Sequence, residues 1–210
     1  MQKNRTDTEA AQSSRPRLTA DVARRGIYID LRGVRGRAPV ICGLLVEERF
    51  DQVIFDTDFA DAALARELRI NSLESEVLAL LQAVREDGRC LFGFSPEALN
   101  ALAHGRMAEQ LRPFYRDGQQ VGADWCARRG KDGRSSSSLG AMLSLIGAIL
   151  PLHLESKATT KRLRDVRVMM QARGAFDAMT PIGKGKWTKL LKQNRARCEG
   201  LRTLMLALSE

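Results

Sequence analysis

Histidine is nearly absent from this chain: His104 and His153 are the two it has among 210 residues. Neither has a carboxylate or a nucleophile at a recognisable spacing, so both read as structural residues and no acyl-transfer triad is outlined. The four cysteines, Cys42, Cys90, Cys126 and Cys198, form no CxxC pair and have no histidine nearby. Neither a zinc site nor a disulfide framework follows from them. G-x-S-x-G, Walker A and Rossmann fingerprints are missing as well. The "GKGKW" run from Gly183 to Trp187 lacks both the P-loop spacing and a preceding strand.

A long hydrophobic run is also missing. Leu139 to Leu152 is the longest, at 14 residues, against the roughly 18–20 that a membrane span needs. It reads as a buried core helix, and no membrane partner is expected. Residues 1–18 are polar and have no apolar h-region, so they read as a disordered tail before one domain over 19–210. Without an export signal, the expected compartment is the cytoplasm.

What the chain does have is positive charge, unevenly placed. The net charge is +9, and from Pro151 to Glu210 there are 13 Lys or Arg against 5 Asp or Glu. Such asymmetry points to a polyanionic partner, either nucleic acid or an acidic protein surface.

Three apolar runs open the ordered part: Ile27 to Asp30, Pro39 to Glu48 and Phe50 to Thr57. Their joints are too short for parallel crossovers, which makes them antiparallel neighbours. Helical patterns follow over 58–68 and 72–86, the second with Asn71 as its expected N-cap and Glu74 closing a capping box. Residues 89–95 give a fourth strand, and Ser95-Pro96 opens another helix. Helices are expected at 107–113, 119–129, 139–150 and 159–173, and from Thr180-Pro181 to the end, with a linker at 130–140 that includes Ser135 to Ser138. The whole is an α/β chain. Its β-β-β-α-β order is that of a ribonuclease H-like mixed sheet: three antiparallel strands, then parallel ones, with helices on both faces and a helical C-terminal part. In that architecture the fourth strand returns beside the first.

"IYIDLRG", "APVICGLLVEERFDQVIFD", "LFGFSPEALNAL" and "TPIGKGKWTKLLKQNRARCEGLRTL" together, in this order, resemble the DEDD-type exonucleases of the ribonuclease H-like group. The resemblance implies Asp-x-Glu on the first strand and an Asp just after the fourth. It also implies His or Tyr, followed one turn later by Asp, on a late helix. Four carboxylates would hold two Mg²⁺ or Mn²⁺ ions for phosphodiester hydrolysis. Asp30 matches the first acid and Glu97 matches the second-motif acid in charge, so these are the two catalytic or metal-ligand remnants. Arg32 stands where the Glu belongs, Gln193 at the His or Tyr position and Arg197 at the final Asp. Each acid-to-arginine exchange changes the local charge by two units. At about 5 Å and an effective dielectric of 20, each unit is worth roughly 3 kcal/mol against another charge. Two-metal hydrolysis is therefore expected to be weakened or lost, and no cofactor is expected. Asp56, Asp58 and Asp124 are the nearby acids that could compensate, and each has an ordinary structural reading as a cap or a solvated helix residue.

Arg32 and Arg197, with Lys186, Lys189, Lys192 and Arg195 of the last helix, are the candidate nucleic-acid contacts. Trp187 reads as a core anchor. Two readings stay open: the arginines meet phosphate in place of metals, or they pair with Asp30 and Glu97 and close the cleft. In the second case the chain is a scaffold or protein-interaction domain that uses its basic helices.

Overall fold

Pro39 to Leu45 are buried without interruption, as expected of a strand covered on both faces. The computed structural model, which describes residues 17–34, 37–102, 106–130, 138–151 and 158–209, puts this strand well inside a six-stranded sheet. The strands are β1 (Ile27–Gly33), β2 (Pro39–Val46), β3 (Arg49–Ile54), β4 (Arg69–Ile70), β5 (Leu91–Gly93) and β6 (Tyr115–Asp117). Their order is β4-β3-β2-β1-β5-β6. The pairs β1–β2 and β2–β3 are antiparallel, whereas β1–β5, β5–β6 and β3–β4 are parallel. This α/β arrangement is compatible with a ribonuclease H-like sheet, and the return of β5 alongside β1 is as the element order implied.

Alternation along β1 sorts its side chains between two layers. Ile27 and Ile29 pack with Val77, Leu80, Leu81 and Val84 of α3 (Leu73–Glu86) and with Leu99 of α4 (Pro96–Leu102). Tyr28 faces the other layer, where it meets Trp125 of α6 (Gly118–Arg128) and Leu201 and Leu204 of α9 (Pro181–Leu208). Asp30 and Arg32 have the parity of Tyr28 and so lie on the α9 side. A third cluster joins Ile41 and Ile54 to α8 (Thr159–Arg173) and to Trp187, which is fully buried and stacked on Phe59 with ring centroids 5.4 Å apart. The remaining helices are α1 (Ala20–Arg24), α2 (Ala60–Leu64), α5 (Arg106–Leu111) and α7 (Leu139–Leu145).

Several local expectations change. Strand β1 runs three residues past Asp30, which puts that acid in mid-strand rather than at a strand end. Ser72, not Asn71, caps α3: its hydroxyl accepts from Ser75 N at 3.0 Å, while Asn71 donates from Nδ2 to Glu76 Oε2 at 3.1 Å. The 58–68 helix is instead a 3₁₀ turn at Thr57–Phe59 and the short α2. Burial of Phe59, Ala62 and Ala63 sets its length, and Glu67 then leaves it at a φ of 53°. Strands β4 and β6 were not expected. The fourth expected strand keeps only Leu91–Gly93, and the helix over 139–150 stops at Leu145, capped by Ser138. His104, His153, residues 1–16 of the expected tail and 131–137 of the expected linker lie outside the described residues. Among those described, no helix is long and apolar enough to cross a membrane.

Candidate functional site

At the C-terminal ends of the parallel pair β1 and β5, the first turn of α4 and the middle of α9 enclose a groove of about 490 Å³. Such ends are where open α/β sheets expose backbone and side chains to ligands. Asp30 and Arg32 line it from β1, Phe94 and Glu97 from the β5–α4 junction, Arg197 from α9, and Arg37 from the lip after β1.

The groove is organised by one carboxylate. Arg32 Nε donates to Asp30 Oδ2 at 2.5 Å, and Arg197 Nε donates to Asp30 Oδ1 at 2.9 Å. Asn194 Nδ2 also donates to Oδ2, at 2.9 Å, and to the Asp30 carbonyl at 2.6 Å. Gln52 Nε2 donates in turn to Asn194 Oδ1 at 2.8 Å and to the Leu191 carbonyl at 3.2 Å. Asn194 and Gln52 are buried, and their amides are consumed within this network. Gly43, opposite Asp30 in the β1–β2 register, makes it possible: a Cβ there would lie 2.5 Å from Asn194 Oδ1.

Electrostatically, two guanidiniums share one carboxylate. Burial, and secondarily the charge of Arg197, push the Arg32 guanidinium below its usual range, against the attraction of Asp30. Arg197 also lies over the Phe94 ring, its Cζ 5.9 Å from the centroid. Opposite Gly93 in the β5–β6 register, Asp117 caps α6 by accepting from Gln119 N at 2.8 Å. Burial pushes its carboxyl up, and the charge of Glu97 adds to the effect.

The residues present do not fit a divalent metal. An ion at Asp30 would have to compete with two cations and an amide for a carboxylate both of whose oxygens are already engaged. Asp56 and Asp58 do not compensate. Both are paired with Arg167, through its Nη2 and Nε respectively, and Asp56 also caps the 3₁₀ turn. Asp124 accepts from Gln120 at 2.7 Å and lines a different hollow.

The structure thus gathers Asp30, Arg32, Glu97 and Arg197 into one groove. The other basic candidates lie elsewhere on α9. Lys186 Nζ is 2.5 Å from Asp165 Oδ2, and Arg195 Nε is 2.7 Å from Glu199 Oε1. Lys192 is exposed and, with Arg195, borders a separate hollow beside Ile149; Lys189 is half-buried. Gln193 is buried, 3.4 Å from Arg162 Nη1. All four cysteines are free and buried, and burial raises the Cys42 and Cys198 thiols well above the usual range, which leaves them unreactive. Sequence reasoning missed Arg37, Gly43, Gln52, Phe94, Asp117 and Asn194. Asn194 had a signal, being with Gln193 one of two adjacent amides among the otherwise mostly apolar buried positions of α9.

No known family, curated protein or solved structure matches the chain.

Proposed function

We propose that this chain is an exonuclease-like nucleic-acid-processing domain that has lost two-metal phosphodiester hydrolysis and kept nucleic-acid binding. The observation that carries this reading is the occupation of both Asp30 oxygens by guanidiniums. Positive charge that metals would supply in a hydrolytic site is here covalently part of the protein. Guanidinium forks match phosphate oxygens in geometry and in charge. Further support comes from the open groove and from the basic excess of the last 60 residues. The partner is DNA or RNA, and the free cysteines suit a reducing cytoplasm.

A scaffold that binds an acidic protein is the second reading. It draws on the pairing of Arg32 and Arg197 with Asp30, and on the internal pairing of Lys186 and Arg195, which removes charge from the helix face a nucleic acid would need.

Titration of labelled single- and double-stranded oligonucleotides across a salt series separates the two. Binding that weakens linearly with the logarithm of salt concentration is the expected result. An absence of binding at low salt overturns the proposal. With Mg²⁺ or Mn²⁺ added, no cleavage of DNA or RNA is expected; cleavage that disappears in Asp30→Asn would restore the hydrolytic reading.

A further inference from the structure

The groove lining carries three guanidiniums, Arg32, Arg37 and Arg197, against two carboxylates, Asp30 and Glu97. Asp30 carries a single charge and neutralises only one of the two guanidiniums bound to it. The Arg32 side chain is only 14% exposed, and its Nη2 is shielded from solvent with no hydrogen-bond partner among the described residues. Buried charge with unmatched donors is the costliest arrangement a polar cluster can adopt, so the cluster favours a second anion.

The lip of the groove carries a further cation. Arg37 lines both this groove and the neighbouring hollow that holds Asp56, Asp58 and Arg167. It is exposed, and its side chain has no partner among the described residues. The acids of that hollow are already engaged by Arg167, which leaves Arg37 available to the groove.

We propose that Arg37, Arg32 and Arg197 form a phosphate seat, with Arg37 closing it from the lip and the other two supplying charge from the floor. The ligand class is a phosphate group, and only its source, a nucleic-acid backbone, rests on the function proposed above. Glu97 lines the same groove and opposes the anion from the α4 wall.

Isothermal titration calorimetry with inorganic phosphate at low salt tests the seat, alongside fluorescence anisotropy with a single-stranded oligonucleotide. Arg37 is exposed, so Arg37→Ala and Arg37→Glu fold. Wild type binds phosphate, Arg37→Ala weakens it about tenfold, and Arg37→Glu abolishes it. Glu97→Gln strengthens it, because a like charge is removed. Equal phosphate affinity in wild type and Arg37→Ala overturns the seat. So does oligonucleotide binding that is indifferent to Arg37 when phosphate does not bind, although the nucleic-acid reading survives that outcome. Phosphate binding that depends on Arg37, with no oligonucleotide bound, supports the seat and overturns the nucleic-acid reading.

Discussion

Arg197 and Asp30 are separated by 167 residues and joined by a 2.9 Å ion pair in which Nε of the arginine donates to Oδ1. The pair ties the middle of α9 to the centre of β1. Beside it, Asn194, less than one turn earlier on the same helix, grips both the backbone and the side chain of Asp30. Asp30 therefore fastens a helix to the sheet. The two guanidiniums that it holds line the groove.

Asp30→Asn separates attachment from ligand binding. The amide keeps the size of the carboxylate but leaves two guanidiniums without a counter-charge, at a cost of about 2–3 kcal/mol for this partly exposed cluster. The same change makes the groove more positive. Urea unfolding is expected to show a less stable variant, and anisotropy a tighter oligonucleotide complex. Weaker binding together with lower stability would mean that Asp30 contacts the ligand.

Asn194 and Gly43 form the second joint between helix and sheet. Asn194→Ala strips a donor from the Asp30 carbonyl and an acceptor from Gln52, costing about 2–3 kcal/mol. Gly43→Ala drives a methyl group into the Asn194 amide and costs about 1–3 kcal/mol. Because the methyl enters the space that Asn194 vacates, the double variant is expected to lose at least about 1 kcal/mol less than the sum. Chemical denaturation of the four proteins closes the cycle, and strict additivity would contradict the contact.

The long elements were legible because they repeat their pattern often enough to be read. The bounds of α8 and α9 follow from apolar spacing and from Thr180-Pro181, whose hydroxyl accepts from Gly183 N as a cap should. Strands β4 and β6 have two and three residues, too few to display a period of two, and only tertiary pairing creates them. At the site, Arg32 and Arg197 stood out as arginines where the resemblance implies acids. That both guanidiniums would fall on Asp30 was not visible, since it depends on the packing of α9 over β1. The Asn194–Gln52 contact spans 142 residues and leaves no local trace.

Charge on α9 differs in availability from residue to residue, and binding assays can read the difference. Lys186 is held by Asp165, whose carboxyl is pulled down chiefly by that hydrogen bond. Its charge is already matched inside the protein. Lys186→Ala is expected to leave oligonucleotide affinity within about twofold of wild type at moderate salt. Arg197→Ala, which removes a groove cation, is expected to weaken binding and lower the salt slope by about one unit. The reverse ranking would move the binding surface from the groove to the helix face.

Asp117 offers a test that needs no ligand. Burial and the nearby charge of Glu97 hold its carboxyl above the ordinary value of 3.8. The folded protein therefore keeps this proton to higher pH than the unfolded chain does. Stability falls as pH rises from the ordinary value through the raised one, and the full penalty persists at neutrality. Asparagine caps a helix about as well as aspartate, so Asp117→Asn retains the bond from Gln119 N and removes the disfavoured charge. Urea unfolding at about pH 7 is expected to find this variant more stable than wild type, with the gap closing as pH falls toward about 4. Asp117→Ala loses the cap as well, which costs about 1 kcal/mol relative to the asparagine variant at either pH. An Asn variant less stable than wild type at neutral pH would show that Asp117 is held as a charged group, and that Glu97 does not oppose it.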